Sequence, residues 1–97
     1  MIEDLRTEID EIDERLVELL NRRASTAMEI GQRKKIEGKD ITDREREREV
    51  IGGVKKKNDG PFSDEQIERI YRTLISETKN IQTEVGANDS SDEARSN

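Results

Sequence analysis

An all-α fold is predicted, with three helices per chain: long, short and medium. Three observations carry the prediction. Apolar residues recur at steps of three and four through most of the chain, the period of a helix with one covered face. Two clusters of breaking residues, at Gly38 and at Asn58-Asp59-Gly60-Pro61, cut that pattern into three. No stretch alternates apolar and polar residues as a half-buried strand does.

The first helix is predicted from Ile2 to about Glu37. Ile2, Leu5, Ile9, Ile12, Leu16 and Leu19 alternate steps of three and four, which is a heptad seam. Glu11 with Arg15, and Glu18 with Arg22, make favourable i, i+4 pairs on the outer face. Gly38 supplies the stop. Such a helix reaches roughly 50 Å at 1.5 Å per residue. The remainder of so short a chain cannot cover that rod, so the seam must meet a second copy of itself or a partner helix.

Thr42, with Glu45 three residues on, reads as a capping box. A second helix follows from Asp43 to about Lys57. Gly52 and Gly53 weaken its middle by about 1 kcal/mol each against alanine, and mark a bend or a close crossing. Ser63 and Gln66 form another capping box, with Phe62 and Ile67 placed as a hydrophobic staple around it. The third stripe is Ile67, Ile70, Tyr71, Leu74, Ile75, Ile81 and Val85. Beyond it periodicity vanishes. The expectation is a folded domain over residues 1–85 and a disordered acidic tail over 86–97.

Composition narrows the chemistry. Of 97 residues, 29% are hydrophobic and 43% charged, a thin supply for a self-contained core. The net charge of -6 argues against nucleic acid or an anionic membrane as partner. It reads as ordinary solubility or as adaptation to a salty cytoplasm. Cysteine and histidine are absent. Disulfides and thiolate chemistry are thereby excluded, and so are the commonest metal ligand and the usual general base. No metal or cofactor is expected. No apolar run approaches a membrane span or a signal-peptide core, so a cytoplasmic chain is expected.

The informative residues are polar ones that interrupt the stripes. Beyond Leu19 the first seam continues through Arg23, Ala27, Ile30 and Lys34. Arg23 and Lys34, three turns apart, share the inward face and can converge on one ligand. The competing reading is snorkelling, with apolar stems packed and charged heads in water. Thr78 and Gln82 continue the third stripe as polar groups. Buried there they need partners, and the competing readings are an internal hydrogen bond or a frayed helix end. Asp43, Arg46 and Glu47 share a face with Val50 and Val54, yet the run Arg44 to Glu49 also fits a solvated salt-bridge cluster. If the three polar faces meet, they enclose a cation-rich pocket inside a helical bundle, suited to a multivalent anion.

These residues, in this order, resemble the all-helical chorismate mutases. The first-helix set is Leu5-Arg6, Ile9-Asp10, Ile12-Asp13, Leu16, Leu19-Leu20 and Arg23, followed by Ile30-Gly31 and Lys34. Asp43-Arg44-Glu45-Arg46-Glu47 is similar to the family's second-helix motif, and Thr78 and Gln82 fall where its third helix closes the site. The resemblance covers about Ile2 to Val85. It implies an intertwined homodimeric helical bundle in which each of two sites draws on both chains, and the conversion of chorismate to prephenate without any cofactor.

It also implies the roles. Arg6 of one subunit and Arg23 of the other hold the substrate's two carboxylates. Lys34 and Gln82 donate to the ether oxygen. Glu47 accepts from the substrate hydroxyl, helped by the backbone near Asp43. Arg46 supports a carboxylate, and Thr78 adds a hydrogen bond at the edge. A unimolecular rearrangement needs neither nucleophile nor general base, which suits a chain without Cys or His. Gly52-Gly53 and a threonine at position 78, where serine is also common, are departures that leave the donor set intact. Three rival functions remain. One is isochorismate-pyruvate lyase, disfavoured by the Asp43 and Glu47 pair. The others are a mutase domain serving a larger shikimate-pathway enzyme as partner, and a non-catalytic helical scaffold.

Overall fold

Each helix begins and ends where local chemistry dictates. The computed structural model describes residues 1–87, with side chains through Thr83. It contains α1 (Ile2–Ile36), α2 (Arg44–Lys57) and α3 (Asp64–Ala87), and no strand among the described residues. The expected all-α, three-helix chain is what forms.

Gly38 ends α1 with a φ of 73°. Its N–H donates to the Lys35 carbonyl at 3.1 Å, and the Lys39 N–H to the Lys34 carbonyl at 2.7 Å. Those two bonds are a Schellman motif, which needs a left-handed residue where glycine carries no Cβ penalty. Arg33, Lys34 and Lys35 crowd the last turn, and Glu3 and Asp4 the first, as the helix dipole favours.

The cap of α2 differs from the expected Thr42–Glu45 box. Asp43 is the N-cap, and its side chain accepts the Arg46 N–H at 3.0 Å. Aspartate outranks threonine as a cap and carries the charge that a helix start favours, so it takes the position one residue later. Gly52 and Gly53 do not interrupt α2, and neither lies at a close crossing within the chain. The helix runs through both, and a Cβ on either would meet nothing within 4 Å.

Before α3 the expected box forms in full. Ser63 Oγ accepts the Gln66 N–H at 3.1 Å, and Gln66 Oε1 accepts the Ser63 N–H at 2.9 Å. Asn58 Nδ2 closes the preceding turn by donating to the Phe62 carbonyl at 2.8 Å and to Asp64 Oδ1 at 2.9 Å. Gly86 and Ala87 still belong to α3, two residues past the expected domain end, an ordinary uncertainty for a helix terminus. Residues 88–97, the rest of the expected tail, and the side chain of Val85 lie outside the described residues.

α3 is the hub, packing against both α1 and α2. Gly31 is buried on α1, where an added Cβ would stand 3.3 Å from Gln82 Cγ. The missing side chain lets α3 approach there. Ile51 is the buried apolar residue of α2 against α3. Beside it Glu68 joins Lys55 of α2 to Arg72 of α3. The Lys55 ammonium first, then the Arg72 guanidinium, holds the Glu68 carboxyl below its ordinary 4.5.

The other half of α1 is uncovered. Leu5, Ile9, Ile12, Leu16 and Leu19 remain between 49% and 59% exposed. The molecule measures 53 × 35 × 17 Å, its long dimension matching the length of α1 at about 1.5 Å per residue. No described helix is long and apolar enough to cross a membrane.

Candidate active site

The C-terminal half of α1, the start of α2 and the last turns of α3 enclose a cavity of about 420 Å³. That volume suits a small organic ligand. Its apolar wall comes from Ala27, Ile30, Ile41, Val50 and Ile75. Seven of the eight residues expected at a site line it: Arg23, Lys34, Asp43, Arg46, Glu47, Thr78 and Gln82.

Their contacts range from close hydrogen bonds to loose approaches. The Arg23 guanidinium lies over the Tyr71 ring, 6.0 Å from its centroid, at the outer limit of a cation–π contact. Lys34 Nζ faces Asp43 Oδ2 at 4.0 Å, loose enough to leave its protons for a ligand. Asp43 thus caps α2 with one oxygen and turns the other to α1. Arg46 pairs outward with Glu49 at 3.2 Å.

Gln82 Nε2 donates to the Ala27 carbonyl at 2.7 Å, across the contact that Gly31 permits. One amide proton is engaged, and the second remains to be given. Thr78, 9% exposed, donates its hydroxyl to the Leu74 carbonyl at 2.7 Å. The internal bond that competed with a site role is therefore made, and in this state Thr78 offers a ligand lone pairs only.

Arg6 is the exception. It is exposed, and its contact is Glu3 at 3.5 Å. Seventeen residues before Arg23, it stands about 25 Å away along the helix and cannot reach the cavity within one chain.

Lys79 was not foreseen. It lines the cavity and holds Glu47 through an ion pair of 2.8 Å. Its signal was present, because Ile75, Lys79 and Gln82 are spaced four and three apart, on one helix face. Counting it, the lining carries four cations against two carboxylates.

Fold and cavity together define a class: an all-helical bundle with a cation-rich cavity between its helices. Residues 5–83 match the family model of chorismate mutase type II, and the chain belongs to that family. The chain is 36% identical over 88 residues to the bifunctional chorismate mutase/prephenate dehydratase of Aquifex aeolicus (strain VF5), covering 87% of this chain and 24% of that protein. It is 40% identical over 73 residues to the bifunctional enzyme of the same name from Neisseria gonorrhoeae (strain ATCC 700825 / FA 1090), covering 74% and 19% respectively. It thus spans a quarter or less of these relatives' length. A chorismate mutase from Thermus thermophilus superposes with a TM-score of 0.83 at 28% identity, over 84% of this chain and 93% of that one.

Proposed function

We propose that this protein rearranges chorismate to prephenate, a step toward phenylalanine and tyrosine, as a cytoplasmic homodimer with two shared sites. The observation that carries the reading is the convergence of Arg23, Lys34, Glu47 and Gln82 from three helices on one cavity of ligand size. Family membership supplies the reaction.

The chemistry asks for orientation and for charge stabilisation. Arg23, with Arg6 of a second copy, clamps the substrate's two carboxylates and folds the side chain over the ring, saving the entropy of that search. As the C–O bond breaks, negative charge grows on the ether oxygen. Lys34 and the free amide proton of Gln82 meet it there as donors already fixed in place. Glu47 accepts from the ring hydroxyl, and Arg46 supports a carboxylate. The lining cations Arg23, Lys34, Arg46 and Lys79 exceed the carboxylates Asp43 and Glu47 by two, and Arg6 of the second copy adds a third, an excess that attracts a dianion.

The uncovered α1 seam supports the dimer, since half-exposed leucines and isoleucines along one stripe are a self-complementary coiled-coil surface. Pairing α1 with α1 also offers a route by which Arg6 reaches a cavity. The test is loss of chorismate absorbance with product identification, and isochorismate supplied in parallel. Prephenate from chorismate supports the reading. Absence of turnover, or pyruvate release from isochorismate alone, overturns it.

A further inference from the structure

Glu47 stands in a wall between two cavities. Behind the cavity described above, a cleft of about 340 Å³ opens between α2 and α3, lined by Arg44, Arg48, Arg72 and Ile51, with Glu47 its one lining carboxylate. A glutamate side chain has several rotamers, and unlike charge nearby selects among them. The outer guanidiniums therefore compete for Glu47 with Arg23, Lys34 and Arg46 of the inner cavity. Arg72 is already engaged with Glu68 at 2.7 Å. Arg44 and Arg48 make no ion pair among the described residues.

Lys79 lines both cavities and sets its Nζ 2.8 Å from Glu47 Oε2. It is the cation common to the two linings. We infer that Lys79 is a positioning residue. It pins Oε2 of Glu47 against that competition, so that Oε1 stays turned to the ligand's hydroxyl. This rests on the chorismate reading and extends it to a residue outside the expected donor set. The pair is partly exposed, 35% at Lys79 and 26% at Glu47, so its contribution to stability is small and aim is its main effect.

A double-mutant cycle on the full chain tests this. Lys79→Met is expected to lower kcat/KM about tenfold. The loss falls mainly on KM, because the hydroxyl itself makes and breaks no bond in the rearrangement and is held alike in ground and transition states. Lys79→Arg keeps the charge and restores most of the activity. In a Glu47→Gln background, Lys79→Met changes kcat/KM by less than about twofold, since the carboxylate it positions is gone. Melting curves confirm that each variant folds, and Lys79→Gln replaces Lys79→Met if the latter does not. Losses that multiply in the double variant, or a Lys79→Met enzyme as active as wild type, overturn the inference while wild-type turnover stands. A wild type that leaves chorismate unchanged overturns the function and this inference together.

Discussion

At the scale of single residues, the proposed mechanism asks most of Lys34 and Gln82, which in it meet the charge that develops in the transition state. Lys34→Ala and Arg23→Ala should each cost at least about 2.7 kcal/mol of transition-state stabilisation, near a hundredfold in kcat/KM. A loss under about threefold in either contradicts its role. Gln82 has no proton to lose, so it adds no pH dependence between about pH 6 and 9, whereas Gln82→Glu must be protonated to donate and its rate should fall as pH rises. Superimposable pH–rate profiles for the two enzymes would remove Gln82 from the ether oxygen. Most of these residues were legible in the sequence because a polar side chain at an apolar register position is an anomaly. Lys79 shares a helix face with Ile75 and Gln82 but was passed over, because one lysine among 18 Lys and Arg residues does not stand out until its partner, Glu47, is seen across the gap between helices. The internal bond of Thr78 was likewise legible only as one of two options, since rotation of a hydroxyl leaves no trace in a sequence.

At the scale of elements, two contacts set how the helices cross. Gly31→Ala brings a methyl to 3.3 Å from Gln82 Cγ, so the amide must give way. The helix propensity gained, about 1 kcal/mol, offsets that crowding, and stability should change little. Activity should nevertheless fall, because Gln82 is displaced from its place on the Ala27 carbonyl. Kinetics beside thermal melts separate the two effects. The Lys55–Glu68–Arg72 cluster ties α2 to α3. Since the folded protein holds the Glu68 carboxyl below 4.5, its contribution is present above the ordinary carboxylate range and is lost as pH falls through the lowered value. Glu68→Gln should therefore be less stable than wild type at neutral pH, with the gap closing in acid. A gap that persists or widens in acid would point to packing instead. Helix spans and the Ser63 box were readable because capping, periodicity and breakers are local. The α2 cap was misplaced by one residue because Thr42 and Asp43 are both competent, and only the helix's path chooses between them. No local signal reveals that a side chain at Gly52 or Gly53 would meet nothing within the chain.

At the scale of the whole molecule, the uncovered α1 seam is where the proposed second copy would pair. Ile12→Glu places a charge in the middle of that stripe. It should yield monomers by sedimentation, with turnover lost even though Ile12 lies outside the cavity. The seam was legible from heptads alone, but a heptad does not name its partner, and a single chain leaves Arg6 with no cavity within reach. The most direct measurement is subunit mixing. Arg6→Ala and Lys34→Ala homodimers should each be about a hundredfold down. Exchanged together at equal concentration, about half the dimers are mixed, and each holds one site built wholly from intact residues. The account predicts recovery to about a quarter of wild-type activity. A mixture as inactive as its parents, with subunit exchange verified, would contradict it.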